Sequence, residues 1–411
     1  MWCSMGHCRW MAVPVLLFCA WQVLGKERID VRLLHLGDLH LGRSLGDFDL
    51  LGEQRYILDE VLRLADERQV DGVLLAGDIY DRPVPSEGAV RLLDYFLSRL
   101  AGQGIKVFMI SGNHDSDERL NFGSSFFEAR GIYIAARYQG ELYHRCIDGV
   151  NFYLLPFVKA SQVRHFFPDE EIESYDQAVK VILRHADINP EACNVLVAHQ
   201  FVAGSNLLPE LAGSESAAVQ QVGLVEQIGA DNFAPFAYTA LGHIHRPQQA
   251  GGENVRYAGS PLKYSLGECN DDKSVPLIDI DGAGNAAVEL LPLKPRRDLR
   301  HLTGRLEQLI SRENLQDTDD YIYVTLTDEE PLDNAMGIIQ GYYPNAVKLD
   351  YRNSRTMALE QEDVFRAAEL RSFDELVGDF YRLVYGQEIS EEEMAVMQEI
   401  GAKAGVVDEA H

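Results

Sequence analysis

The stretch YTALGHIHRPQ, residues 238–248, decides the fold. An apolar run, Tyr238 to Leu241, breaks at Gly242 and is followed by two histidines one residue apart, His243 and His245. Alternate residues on an extended chain point the same way, so both imidazoles leave the end of a strand on one side. A metal ion is one reason for such a pair. An HxH alone does not establish it, because other strands must supply the remaining ligands.

The same grammar recurs from Val31 to about residue 290. Short apolar runs, VRLLHL (31–36), VLLA (73–76), KVFMI (106–110), NVLVA (194–198) and YTAL (238–241), have the length and composition of buried strands. Between them lie amphipathic stretches such as 53–70 and 86–104, with apolar residues three and four apart. Ser86 reads as a helix N-cap, and Gly102 or Gly104 as a stop. This predicts a layered α/β domain over 31–290.

Each run is followed at once by side chains able to bind metal. GDLH carries Asp38 and His40, GDIYD carries Asp78, GNHD carries Asn113 and His114, AHQ carries His199, and GHIH carries His243 and His245. Ligands in open α/β sheets bind beyond the carboxyl ends of the strands, so five loops converge on one edge. A single DxH, GNHD or HxH is compatible with a turn or a packed histidine; five in order at strand ends are not explained that way. Oxygen and imidazole donors without thiolate suit a divalent ion such as Mn²⁺. Seven ligands exceed what one ion with open positions needs. They fit two ions about 3.5–4 Å apart sharing one carboxylate, an arrangement that acidifies water and neutralises phosphate oxygens. His35 lies inside the first run and reads as a core histidine or one that supports a ligand. Asp81 either orients a ligand or starts a turn. His144, His165, His185 and His301 receive no role.

Composition bounds the rest. At 411 residues, two or three domains are expected. The net charge of −27 argues against binding nucleic acid by bulk electrostatics alone, though not against holding phosphate through metal ions or a basic partner. The six cysteines form no CxxC pair, which fits a reducing compartment and excludes a cysteine-built zinc site. Residues 1–30 hold an apolar run, Trp10 to Trp21, too short to span a bilayer, and a passable cleavage site at Val23-Leu24-Gly25. The choice lies between a signal peptide and an upstream extension of a cytoplasmic protein; we adopt the latter and expect no membrane association.

Residues 291–298 read as a linker into a small α/β unit, 291–352, with the order helix (LRHLTGRLEQLI), strand (YIYVTL), helix (NAMGIIQGYY), strand (AVKLDY). The tail, 357–411, reads as helical. Phe373, Leu376, Val377, Phe380, Leu383 and Val384 form one stripe. Ser390 and Glu393 form a capping box ahead of a helix bearing Met394, Met397 and Ile400.

Taken together, GDLHLG, GDIYDR, GNHDS, AHQFVAG, LGHIHRPQ and YAGSPLKYSLGE resemble the calcineurin-like metallophosphoesterases, and within them the nuclease subunits of SbcCD-type complexes. The resemblance runs from about Val31 to residue 352. It implies two sheets flanked by helices, a capping domain at 291–352 and a helical tail at 357–411 that docks on an SbcC-type ATPase. It implies that Asp38, His40, Asp78 and His245 hold one ion, and that Asp78, Asn113, His199 and His243 hold the other. His114 would stabilise the transition state and protonate the leaving 3′ oxygen. The implied activity is an ATP-dependent 3′–5′ exonuclease on double strands and an endonuclease on single strands and hairpins, acting in DNA replication, recombination and repair. The assembly would be a heterotetramer with two copies of this chain, and the ATP would bind the partner. The alternatives are a general phosphatase or phosphodiesterase, and a non-catalytic scaffold that tethers the ATPase. One departure stands out: the family's usual SDxHLG with a central tryptophan is here GDLHLG, with Gly37 and Leu39, neither of them a ligand.

Overall fold

The computed structural model describes residues 31–204, 209–211, 227–354, 356, 377–378, 381 and 389–403. The N-terminal extension and most of the tail stripe lie outside them; of that stripe only Val377 is described, and it is buried.

The strands are β1 (Val31–Leu36), β2 (Gly72–Ala76), β3 (Lys106–Ile110), β4 (Ile132–Ala135), β5 (Tyr143–Ile147), β6 (Val150–Leu155), β7 (Asn194–His199), β8 (Tyr238–Gly242), β9 (Gln248–Gly252), β10 (Val255–Tyr257), β11 (Ser274–Ile280) and β12 (Ala286–Pro292). They form two six-stranded sheets, in the orders β12-β11-β1-β2-β3-β4 and β9-β10-β8-β7-β6-β5. In the first, β1 to β4 run parallel and β11 returns antiparallel to β1. In the second, β10, β8, β7 and β6 are parallel, with antiparallel β9 and β5 at the edges.

Alternation along the strands builds the layers. Leu33, Leu74, Phe108 and Ile110 of the first sheet face Phe152, Leu154, Val197 and Tyr238 of the second across a shared core. There Phe108 stacks on Phe152 with ring centroids 3.8 Å apart. The other face of the first sheet, through Leu34, Val73, Leu75 and Met109, packs on helices α1 (Leu51–Glu67) and α2 (Glu87–Gly102). The outer face of the second, through Tyr153, Leu155 and Leu196, packs on α3 (Ala160–Phe166) and α4 (Tyr175–His185). The result is four layers, helix–sheet–sheet–helix. Strands buried on both faces need continuous apolar runs, which is why five of the eight interior strands, β1, β2, β3, β7 and β8, are readable from sequence. Ser86 caps α2 as expected, its side chain accepting from the Ala89 N–H at 3.2 Å.

By internal contacts the chain divides into two units, residues 1–301 with 317–323 and 345–347, and residues 302–316, 324–344 and 348–411. A three-stranded sheet has the order β13 (Leu299–Gly304), β14 (Tyr321–Leu326), β15 (Ala346–Tyr351). Within the second unit Val324, Leu326, Ile339 and Tyr343 are buried. The helix expected over LRHLTGRLEQLI is corrected here: Leu299–Gly304 is a strand, and only Leu306–Leu309 is helical. Thr303 and Gly304 are weak helix formers, and pairing with a neighbouring strand outweighs the local preference. The capping box at Ser390 is present. The Glu393 N–H donates to Ser390 Oγ at 3.3 Å and the Ser390 N–H to Glu393 Oε2 at 3.0 Å, opening α5 (Glu391–Lys403). No described helix is long and apolar enough to cross a membrane.

Candidate metal centre

Both sheets deliver side chains to one edge. Asp38 and His40 follow β1, Asp78 follows β2, and Asn113 and His114 follow β3; His199 ends β7, and His243 and His245 follow β8. The sheets meet closely there. A methyl group on Gly242 would lie 1.9 Å from the Ala76 carbonyl oxygen, so only glycine lets β8 approach β2. Gly77, at φ +81°, leaves the space that His199 fills: a side-chain carbon there would sit 2.4 Å from His199 Nδ1.

The turns carrying the ligands are strained. Asp38, His40, Asp78 and His243 have φ of 53°, 43°, 48° and 100°, a region unfavourable to residues with a Cβ. Hydrogen bonds hold them. Asp38 N–H donates to Gly77 O at 3.1 Å and His40 N–H to Asp78 O at 2.9 Å. The Asp38 carboxylate accepts from the His243 N–H at 2.9 Å. Asp115, not singled out from the sequence although it closes the GNHD motif, accepts from the N–H groups of Ile79, Tyr80 and Gly112 at 2.9–3.0 Å and ties the second loop to the third.

The ligand atoms converge in two groups. His40 Nε2 and His245 Nε2 are 3.1 Å apart, with Asp38 beside them. Asn113 Oδ1 lies 3.1 Å from His199 Nε2 and 3.0 Å from His243 Nδ1. Asp78 Oδ2 stands between, 3.5 Å from both His40 Nε2 and His199 Nε2. Asp38 is also within reach of Asp78 and His199.

This donor set fits divalent cations. Ring nitrogens facing one another in a buried site could donate to a cation placed between them, and the oxygen–imidazole mixture suits borderline or harder ions. His40 and His243 are already in the donor form, whereas His199 must release a proton before it can bind an ion. Burial depresses His40 to about 4 and His243 to about 3, so both are neutral and have lone pairs to give. Burial also opposes charge on His199 and Asp78, but each stabilises the other: His199 rises to about 9 and Asp78 falls well below the usual carboxylate range. Burial raises Asp38 to about 6. His199 Nδ1 donates to Ala76 O at 2.7 Å, which fixes the tautomer and presents Nε2 to the site.

Outer contacts complete the centre. Glu268, fully buried, places Oε1 3.4 Å from His245 Nδ1, while its Oε2 accepts from Lys273 Nζ at 2.6 Å and Ser260 Oγ at 2.9 Å. Lys273 also donates to the His245 carbonyl at 2.9 Å. Ser260 and Glu268 belong to the YAGSPLKYSLGE block, whose physical role only the tertiary structure discloses. Asp81 lies beside the centre: Oδ1 accepts from Arg43 at 2.9 Å and lies 3.6 Å from His40 Nδ1, and its carbonyl accepts from His114 Nδ1 at 3.1 Å. His114 is half-buried, its ring 4.9 Å from that of His40, and its N–H donates to Asp78 Oδ1 at 2.9 Å. His35 resolves as a core histidine, hydrogen-bonded through Nδ1 to Tyr238 OH at 3.0 Å. A cavity of about 490 Å³ beside α2, lined by Leu93, Leu97 and Met109, contains none of the ligands.

Comparisons with known proteins follow this geometry. Residues 31–247 match the calcineurin-like phosphoesterase family, and residues 295–385 match a family described as the type 5 capsule protein repressor C-terminal domain. The chain is 31% identical over 367 residues to the SbcD subunit of the SbcCD nuclease of Staphylococcus epidermidis, covering 88% of this chain and 95% of that one. Among solved structures it is similar to a dimetal phosphatase from Danio rerio at 11% identity, covering 63% of this chain and 98% of that one, with a TM-score of 0.33.

Proposed function

Because the chain belongs to the calcineurin-like phosphoesterases, in the branch of the SbcD nuclease subunits, we propose that this metal-dependent hydrolase cleaves DNA phosphodiester bonds with two divalent ions, Mn²⁺ foremost. The observation that carries the reading is Asp78, one carboxylate oxygen 3.5 Å from a histidine of each group. Asp38, His40, Asp78 and His245 would hold one ion; Asp78, Asn113, His199 and His243 the other. Bound there, the ions would supply positive charge to the phosphate oxygens and acidify a water for in-line attack. The chain's own residues do the rest. The neutral Asn113 adds a ligand without adding negative charge, which keeps the centre attractive to a phosphodiester. Asp81 and Arg43 set the plane of His40, and Glu268 that of His245. His114 spends Nδ1 on the Asp81 carbonyl, so Nε2 is the nitrogen that would carry a proton to the leaving 3′ oxygen.

The family also supports an ATP-dependent double-strand 3′–5′ exonuclease and hairpin endonuclease in replication, recombination and repair. It would work in the cytoplasm with two copies of this chain and an SbcC-type ATPase. In that assembly residues 291–352 serve as the capping domain and residues 357–411 dock on the partner, which supplies the basic surface that a chain of charge −27 lacks. The test is Asp78→Ala. Both Mn²⁺-stimulated cleavage of an end-labelled hairpin and at least one bound ion, counted by elemental analysis, should disappear; retained activity would remove the two-ion assignment. Comparing a nitrophenyl phosphodiester with the hairpin, with and without the ATPase, separates a DNA nuclease from a general phosphodiesterase.

A further inference from the structure

The chain leaves β6 through Pro156 and Phe157 at the sheet edge that carries the ligands. The Phe157 N–H donates to the Ser111 carbonyl at 3.1 Å, which ties this segment to the loop bearing Asn113 and His114. Its half-buried ring lies 6.4 Å from that of His243, at 23° between planes, and 6.3 Å from that of His199. Phe157 also lines a cavity of about 190 Å³, whose walls include Tyr138 and Phe166 together with Asp117, Arg137, Gln162 and His165. Phe157 is therefore a partition, with two ligand histidines in ring contact and an aromatic cavity bounded by the same side chain.

The chemistry of the walls selects the occupant. Tyr138 and Phe166 meet edge to face, with centroids 5.5 Å apart, and with Phe157 they offer flat apolar surface. The polar groups, Gln162, Arg137, Asp117 and His165, are planar and mixed in kind, and the His165 ring meets that of Phe166 with centroids 5.4 Å apart. Gln162 gives its Oε1 to the Lys159 N–H at 2.8 Å, so its NH₂ is the end open to a ligand. Arg137 forms an exposed pair with Glu118 at 3.0 Å, a contact weak enough to be exchanged, and its charge also acts on Asp117. Asp117 adds an acceptor and would repel a second phosphate. Aromatic faces combined with amide, guanidinium and carboxylate edges describe a receptor for a neutral planar heterocycle rather than for an anion.

We infer that this cavity receives the nucleobase of a nucleotide flanking the scissile phosphate, so that Phe157 sets the register between base and metal centre. The inference rests on the nuclease reading and deepens it. The base stacks against Phe166 and Phe157, and Arg137 and Gln162 meet its polar edge. A nuclease that grips one base beside the cut requires the strand to be unpaired at that point, which suits ends, hairpins and single strands.

The experiment uses the full-length chain with Mn²⁺ and end-labelled single-stranded oligonucleotides carrying one abasic residue, moved one position at a time. The wild type should cut the bond in one fixed register to the abasic residue about ten-fold more slowly than the same bond in the intact strand. Phe166→Ala and, separately, Arg137→Ala should cut intact strands about as slowly as that and lose the dip. Both should hydrolyse methyl p-nitrophenyl phosphate, which has no base, at the wild-type rate. A wild type with no dip, or a dip undiminished in both variants, overturns the base subsite and leaves the nuclease reading standing. So does loss of methyl p-nitrophenyl phosphate hydrolysis in both variants, which would make the walls structural. Failure of the wild type to cut any oligonucleotide while it hydrolyses the small diester overturns the nuclease reading and the subsite with it.

Discussion

Glu268 lies 23 residues beyond His245, in a stretch with no apolar period, yet it is the carboxylate that meets this ligand's second ring nitrogen. No sequence rule finds such a pairing, because it depends on where the chain returns after β10. The candidate ligands are legible because each sits at or within a few residues of the end of a run that reads as a buried strand. Glu268→Gln keeps the shape and removes the charge. It should weaken binding at the site of Asp38, His40 and His245 by about 10- to 100-fold in calorimetric titration. It also strands the Lys273 ammonium, at a stability cost of about 3–5 kcal/mol. Glu268→Gln with Lys273→Met should recover most of that stability and not the affinity. If affinity returns as well, Glu268 acts only through folding. His114→Ala should keep both ions and DNA affinity but lose about 10²- to 10⁴-fold in rate, as for a proton donor. Loss of an ion by elemental analysis would make His114 a ligand instead.

At the scale of elements, legibility follows burial. The five strands read from the sequence are mostly apolar, whereas the edge strands β5 (YHRCI) and β9 (QQAGG) are largely polar or small. LRHLTG misleads because spacing suited to a helix also fits a strand whose buried residue is Leu299 alone. The turn between β8 and His243 shows how tightly elements set the centre. Gly242→Ala drives a methyl group into the Ala76 carbonyl and must part the two sheets at the ligand edge. The expected loss is about 1–3 kcal/mol of stability, read as a lowered Tm, together with weakened ion binding. An alanine variant with wild-type Tm and affinity would show that the sheets can slide without cost.

For the whole molecule, the burial of so many ligands couples ion binding to folding. If the centre is built in the folded chain alone, each ion at 100 times its dissociation constant adds about 2.7 kcal/mol of stability. Chelation should therefore lower Tm, and titrating Mn²⁺ back should restore it in proportion to the logarithm of its concentration. A Tm indifferent to chelator would mean that the ions contribute nothing to the folded state.

The order of ligands along the chain has a consequence for biosynthesis. Asp38, His40, Asp78 and Asn113 belong to one sheet and are made first; His199, His243 and His245 belong to the other and are made last. The hairpin β11–β12 then returns to complete the earlier sheet. No nascent fragment ending before His245 holds a full set of donors for both ions. On the proposed nuclease reading, a half-made chain would be unable to cut nucleic acid near the ribosome, and competence would arrive only when the two halves close on each other. Cations bound there would act as a rivet through the sandwich, and hydrogen exchange at the ends of β2 and β8 should report whether that rivet is in place.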